Sequence, residues 1–215
     1  MTQDKEITKR LGGRPTNQQA AELTTRIVAL ATRLFLDKGY AATGMEEIAG
    51  IAGVAKRSLY SRFPTKEDLF RTVVQSYSKA TLGLLDGRKG SGPLDERLVA
   101  GCLQVLDIAL APDVIAMDRL SSSESVRFPE VAQTIAAAKH EGLAFFTTIL
   151  RDHPDAAGKT EDVFHQGARR LWDVAIAPEI RASVLAPRPE GVTAIVRSEV
   201  KKSVRFFLEG YRSAV

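Results

Sequence analysis

The chain has 215 residues, 44% hydrophobic and 26% charged, with a single cysteine and a formal net charge of +4. These are ordinary globular values that exclude a disordered chain and a disulfide scaffold, and apolar stretches such as GLAFFTTIL at 142–150 fall far short of the roughly 20 residues a bilayer span requires. The charge is uneven: the first 75 residues hold the whole +4 and the rest is neutral, so a polyanionic partner is expected for the first third.

The opening MTQDKEITKRLGGRPT is polar and lacks the apolar middle of a signal peptide, which predicts a cytoplasmic protein without a membrane partner. Lys9, Arg10 and Arg14 flank Gly12 and Gly13 ahead of Pro15, an arm that suits a DNA minor groove and equally an ordinary tail. Ile27, Leu30, Ala31, Leu34 and Phe35 then share one helical face. Thr16 and Gln19 have capping-box spacing for the start of that helix, and Gly39 suits its end.

Thr43 and Glu46 form a second capping-box pattern, which predicts the short helix MEEIAGIA with Met45, Ile48, Ala49 and Ala52 inward. Gly53 can take the positive φ that closes it. KRSLYSRF follows as a helix of about two turns, stopped by Pro64; Thr65 and Asp68 then cap a longer helix, KEDLFRTVVQSYSKATLGLL. GRKGSGP at 87–93 reads as a linker. Beyond it, periodicity predicts helices near 94–111, 113–124, 129–152, 161–177 and 191–213. No stretch alternates like a strand, so the expected fold is all-α.

Two short helices around a glycine turn, the second one basic, describe a helix-turn-helix. Ala49 is small where the second helix crosses, and Leu59 packs that helix down. Lys56, Arg57, Ser58 and Ser61 face outward, able to reach base edges or phosphates in a major groove wide enough for a helix. Tyr60 offers a phenol to a phosphate, and Phe63 closes the core behind it.

Residues 26–70, RIVALATRLFLDKGYAATGMEEIAGIAGVAKRSLYSRFPTKEDLF, resemble the DNA-binding domain of the TetR family of bacterial transcriptional regulators. The resemblance rests on Ala31, Leu34-Phe35, Gly39-Tyr40, Thr43, Ile48-Ala49, Ala52-Gly53-Val54, Leu59-Tyr60, Phe63, Lys66-Glu67 and Leu69-Phe70. It implies a helix-turn-helix domain at 1–66, a helical ligand-binding and dimerisation domain at 67–215, and a dimer on a pseudo-palindromic operator, released by a small-molecule inducer. By position, Lys56, Arg57 and Ser58 would face the groove, while Thr43, Tyr60, Arg62 and Lys66 would anchor phosphates. The chain departs from the family at Arg57, where a small residue is frequent, at Ala55 in place of a capping serine, and at Arg62 in place of a frequent histidine.

In the last two helices, Val163, Gly167, Ala168, Leu171 and Ala175 form one stripe, and Val192, Ile195, Val196, Val200, Val204, Phe207, Leu208 and Tyr211 another. Both suit a dimer surface, which the resemblance implies is a four-helix bundle of two subunits; the alternative is a core of their own. Leu103, Leu106, Met117, Leu120, Phe145, Phe146 and Trp172 are candidates to line an inducer pocket, or plain core. Cys102 reads as core. His140, His153 and His165 lack metal-ligand spacing, and no HExxH, CxxC, GxSxG or phosphate-binding glycine loop is present, so neither an enzyme nor a cofactor or metal is expected. The alternatives are a DNA-binding protein without an inducer, and a helical ligand-binding module or enzyme whose basic helix is incidental.

Overall fold

The computed structural model describes residues 17–85, 92–187 and 189–213. The Thr16 cap, the basic arm with Arg14 and most of the 87–93 linker lie outside the described residues. All regular elements among the described residues are helical.

Helix α1 (Asn17–Ala42) turns Ile27, Ala31 and Phe35 fully inward, and Gly39, at φ 80° and ψ 167°, breaks it before a last turn through Ala42. That break changes the role of Thr43. Its hydroxyl donates to the carbonyls of Gly39 (2.8 Å) and Leu34 (3.2 Å), and the side chain is buried. The cap of α2 (Met45–Ala52) is Gly44, with no side-chain hydrogen bond. The expected Thr43–Glu46 capping box is therefore absent: the capping position is Gly44, one residue later, and the Thr43 hydroxyl is turned back toward the carbonyls of α1.

Gly53 ends α2 in the left-handed region, φ 67° and ψ 35°. α3 (Lys56–Tyr60) is shorter than the two turns expected, although the Phe63 amide still bonds the Leu59 carbonyl at 2.9 Å and carries a hydrogen-bonded turn to Pro64. Ala55 caps it without a side-chain bond. α4 (Lys66–Leu82) opens on the expected capping box, the Asp68 amide donating to the Thr65 hydroxyl oxygen at 3.1 Å and the Thr65 amide to the Asp68 carboxylate at 3.2 Å.

Beyond the linker come α5 (Leu94–Ala109), α6 (Pro112–Glu124), α7 (Pro129–Arg151), a 3-10 turn (Pro154–Ala156) and α8 (Glu161–Leu171). α8 does not stop near 177. It widens into a π-helical turn (Trp172–Ile176) and continues as α9 (Ala177–Leu185). Pro178 has no amide proton for a carbonyl one turn back, and the Ala177 amide reaches the Trp172 carbonyl five residues behind, which accommodates the proline without ending the helix. α10 (Ala194–Ser213) is last.

Two hydrophobic cores result. One gathers Phe35, Ile48, Leu59 and Phe70 and takes in Met117 from α6 and Val131 from α7; the other gathers Leu98, Leu106, Phe146, Leu171 and Ile176. Cys102 is fully buried in the second, where loss of water pushes its thiol pKa upward. The helical stripes expected at a dimer surface face this core instead. Gly167 is small because a Cβ there would meet the Tyr211 ring at 2.7 Å and Leu150 at 3.1 Å, so it permits close packing inside the subunit. Val196, Val200, Val204, Phe207, Leu208 and Tyr211 are buried around it, and Ile195 alone of that stripe stands well out, 75% exposed.

Candidate nucleic-acid interface

The α2–α3 unit is held from behind. Leu59 is fully buried, Ala49 is 2% exposed and Phe63 is 5% exposed, so the inner face of α3 is fixed against α1 and α2 while its outer face carries polar groups. An ion pair of Lys38 with Glu47 ties α1 to α2, and an Arg26 guanidinium donates to the Ala52 carbonyl at 3.4 Å, near the C-terminus of α2. Arg26 was not singled out by the sequence pattern, because its partner lies 26 residues away.

Lys56, Arg57, Tyr60 and Ser61 are exposed together on α3 and the turn after it. Lys56 pairs with Glu46 of α2, a screened surface pair that a phosphate can replace. Arg57 and Tyr60 have no hydrogen-bonding or ionic partner among the described residues, so both are available to a ligand. Ser58 is occupied: the Arg62 guanidinium donates to its hydroxyl at 2.9 Å and its carbonyl at 3.0 Å, and the Ser61 hydroxyl donates to the same carbonyl at 3.0 Å. Arg62 thus closes the end of α3 with its charge half exposed.

Lys66 lies elsewhere. Its ammonium sits 4.3 Å from the Tyr40 ring centroid and donates to the Ala41 carbonyl at 3.2 Å. Burial lowers its pKa first of all, and the Arg127 charge also lowers it, against Glu67. Thr43 is 1% exposed with its hydroxyl bonded inward, so its side chain offers nothing to a phosphate.

Around Tyr40 the two halves of the chain meet. Its ring packs on Phe70 (4.9 Å between centroids) and on Phe128 (5.2 Å) from the α6–α7 corner. Arg127 stands 5.0 Å from the Phe128 ring and 3.9 Å from Glu67. Burial and the neighbouring Glu67 push the Tyr40 phenol up to about 12, so it remains a neutral hydrogen-bond donor.

Behind this junction lies a cavity of about 590 Å³, walled by α4, α5, α6, α7, the π turn and α9. Of the pocket candidates, Met117 and Trp172 line it. Leu106 and Phe146 are fully buried core, and Leu103 packs against that core. Leu120 packs on the N-terminal core, and Phe145 lines a second groove that shares Leu82 and Leu85 with the cavity. Periodicity marks which residues turn inward but not which of them border a space. Gly142 shapes the wall: a Cβ there would lie 2.5 Å from the Trp172 ring. On α6, Arg119 donates to the Ser183 (2.6 Å) and Val184 (2.8 Å) carbonyls and fastens the end of α9. Asp118, Ser121 and Tyr77, all lining residues, were missed because polar groups on amphipathic helices read as solvent-facing.

A family model of bacterial regulatory proteins of the tetR family matches residues 27–73, and one of the AefR-like transcriptional repressor C-terminal domain matches residues 96–213, more than half the chain. The chain belongs to the TetR family. Its members among the curated relatives are transcriptional regulators, not enzymes. The chain is 42% identical to the transcriptional activator FasR of Mycolicibacterium smegmatis over 59% of its own length and 58% of that protein's. With the transcriptional regulator AcrR of Shigella flexneri it shares 37% identity over 34% of each chain. These matches thus span less than two thirds of either relative. Among solved structures, a regulator assigned to the TetR family from Mesorhizobium loti superposes with a TM-score of 0.73 at 21% identity, covering 91% of this chain and 98% of that one. The flavonoid-responsive regulator FrrA gives 0.71 at 25% identity, covering 88% and 97%. Among the described residues no three His, Cys, Asp or Glu side chains converge on a metal site, and no single helix is long and apolar enough to cross a membrane.

Proposed function

We propose that the protein is a cytoplasmic, dimeric transcriptional repressor that binds a pseudo-palindromic operator and leaves it when a small molecule occupies the cavity. The observation that carries this reading is the α2–Gly53–α3 unit, rigid on its inner side and presenting unpartnered Arg57 and Tyr60 beside Lys56 on its outer side. Residues 1–66 make the DNA-binding part, with Arg14 of the arm, Arg57 and Ser61 as groove contacts and Lys56, at the groove's edge, Tyr60 and Arg62 as phosphate contacts. Ser58 contributes through the Arg62 it holds, and Lys66 through the ammonium donors left over from Ala41. Residues 67–215 hold the ligand and the dimer surface.

Dimerisation follows from scale, since one short recognition helix touches too few bases for a specific site. The helices expected near 161–177 and 191–213, here α8 and α10, remain the proposed surface, through their outer faces: Ile195 and Phe206, 75% and 71% exposed, are eleven residues apart and so on one side of α10. The AefR-like repressor match supports repression, and the flavonoid-responsive FrrA supports control by a small molecule. Release would be a population shift, in which ligand favours a conformer whose two α3 helices no longer fit successive major grooves about 34 Å apart. α4 and α6 are the connectors. Val74 and Met117 line the cavity and also belong to the N-terminal core.

The test is selection of bound duplexes from a random library at about 150 mM salt, where weak non-specific binding is suppressed. An enriched inverted repeat with half-sites about one turn apart is expected. A folded, ligand-free protein that enriches nothing would remove the sequence-specific reading, and a promoter reporter carrying the selected site reads the sign of regulation.

A further inference from the structure

The polar groups of the cavity are concentrated on one helix. Asp118, Ser121 and Ser122 stand three and four residues apart on α6 and all line the space. Ser121 is 2% exposed and its hydroxyl has no hydrogen-bond partner among the described residues, a deficit that a bound molecule can complete. Asp118 is partly buried. Loss of water raises its carboxyl pKa from the ordinary aspartate value, the Ser122 hydroxyl offsets part of this, and no lysine or arginine contributes. Lys139 and Arg181 line the same cavity but are exposed on other helices, and Lys139 faces Asp173 at 3.5 Å. Much of the remaining wall is apolar, with Val74, Val105, Met117, Ile135, Trp172 and Ile180.

Resting on the reading of this cavity as the inducer site, we infer that its ligand is an apolar molecule carrying an N–H or O–H donor, docked on Asp118 and Ser121 of α6. A donor pointed at Asp118 makes a charge-assisted hydrogen bond largely out of water, whereas a carboxylate placed there sets two like charges together. The Ser121 hydroxyl accepts from the same head group or donates to it. The bound head thus grips the helix that also carries Met117, and ligand occupancy is registered on the connector to the DNA-binding part.

The test uses three probes of one shape, 4-phenylbutylamine, 4-phenylbutan-1-ol and 4-phenylbutanoate, titrated calorimetrically at neutral pH into the full chain and its Asp118→Asn and Ser121→Ala variants. The amine and alcohol are expected to bind, and the carboxylate at least about tenfold more weakly. Asp118→Asn is expected to close most of that gap. Ser121→Ala leaves the melting temperature unchanged or raised, because it removes an unpartnered buried hydroxyl, and weakens the amine and alcohol roughly threefold to tenfold. If the carboxylate binds as tightly as either donor, or the gap survives Asp118→Asn, the assignment to Asp118 is overturned while the cavity stands as a ligand site. Failure of all three probes to bind overturns this inference and the reading of the cavity together.

Discussion

The N-terminal and C-terminal cores are built from the same residue types and end differently. Around Phe35, Ile48, Leu59 and Phe70 the packing closes, and the specific chemistry is turned outward on α3. Around Leu98, Leu106 and Phe146 it closes on one side and leaves about 590 Å³ open on the other, with the specific chemistry turned inward on α6. A surface that must fit DNA needs a rigid backing, so its helix is anchored at a fully buried residue. A site that must admit a small molecule needs space, which here is bounded by Trp172 lying on Gly142 and by Arg119 holding the end of α9.

That contrast can be broken first at its anchor. Leu59→Ala removes the fully buried side chain beneath α3 and is expected to cost roughly 2–5 kcal/mol in denaturant unfolding, with loss of operator binding. A cost below about 1 kcal/mol would mean that α3 is not anchored as described. Gly142→Ala acts on the other core. Its Cβ would press on the Trp172 ring, and a loss of roughly 1–3 kcal/mol with altered ligand binding is expected while ligand-free operator binding persists.

Arg57→Ala should leave the melting temperature unchanged and relax preference at one operator position by roughly 1–3 kcal/mol, whereas Lys56→Ala should weaken all sequences alike and reduce the salt slope by about 1. Competition binding with single-base operator variants separates the two, and a uniform loss from both would remove Arg57 from base reading. Smallest is Thr65→Ala, which deletes the cap of the helix shared by both regions and is expected to lower the melting temperature by roughly 2–4 °C.

The same contrast explains what was legible in the sequence. Gly53, Leu59, Phe63 and the Thr65–Asp68 box could be placed from residue type and spacing, because their interactions are local and the positions demand particular chemistry. Thr43 was misread as a cap, since the break at Gly39 that redirects its hydroxyl depends on backbone geometry. The α8–α10 stripes were correctly apolar, but periodicity says only that a face is buried and not which body buries it; Gly167 against Tyr211 answers that within the subunit. The cavity was the least legible. Met117 and Trp172 border it, while Leu106 and Phe146, with the same helical pattern, are solid core.

The most direct measurement of the link between hollow and DNA-binding helix is operator affinity after filling the cavity by mutation, with every residue of α3 unchanged. Ala138 lines the space on α7, and Ala138→Trp is the variant to use, its folding checked by thermal melting. A fall in operator affinity of at least about fivefold is predicted, within the usual range of coupling between distant sites. Operator affinity equal to that of the unaltered protein, in a folded variant that no longer accepts a ligand, would contradict control of the DNA-binding helix by the cavity.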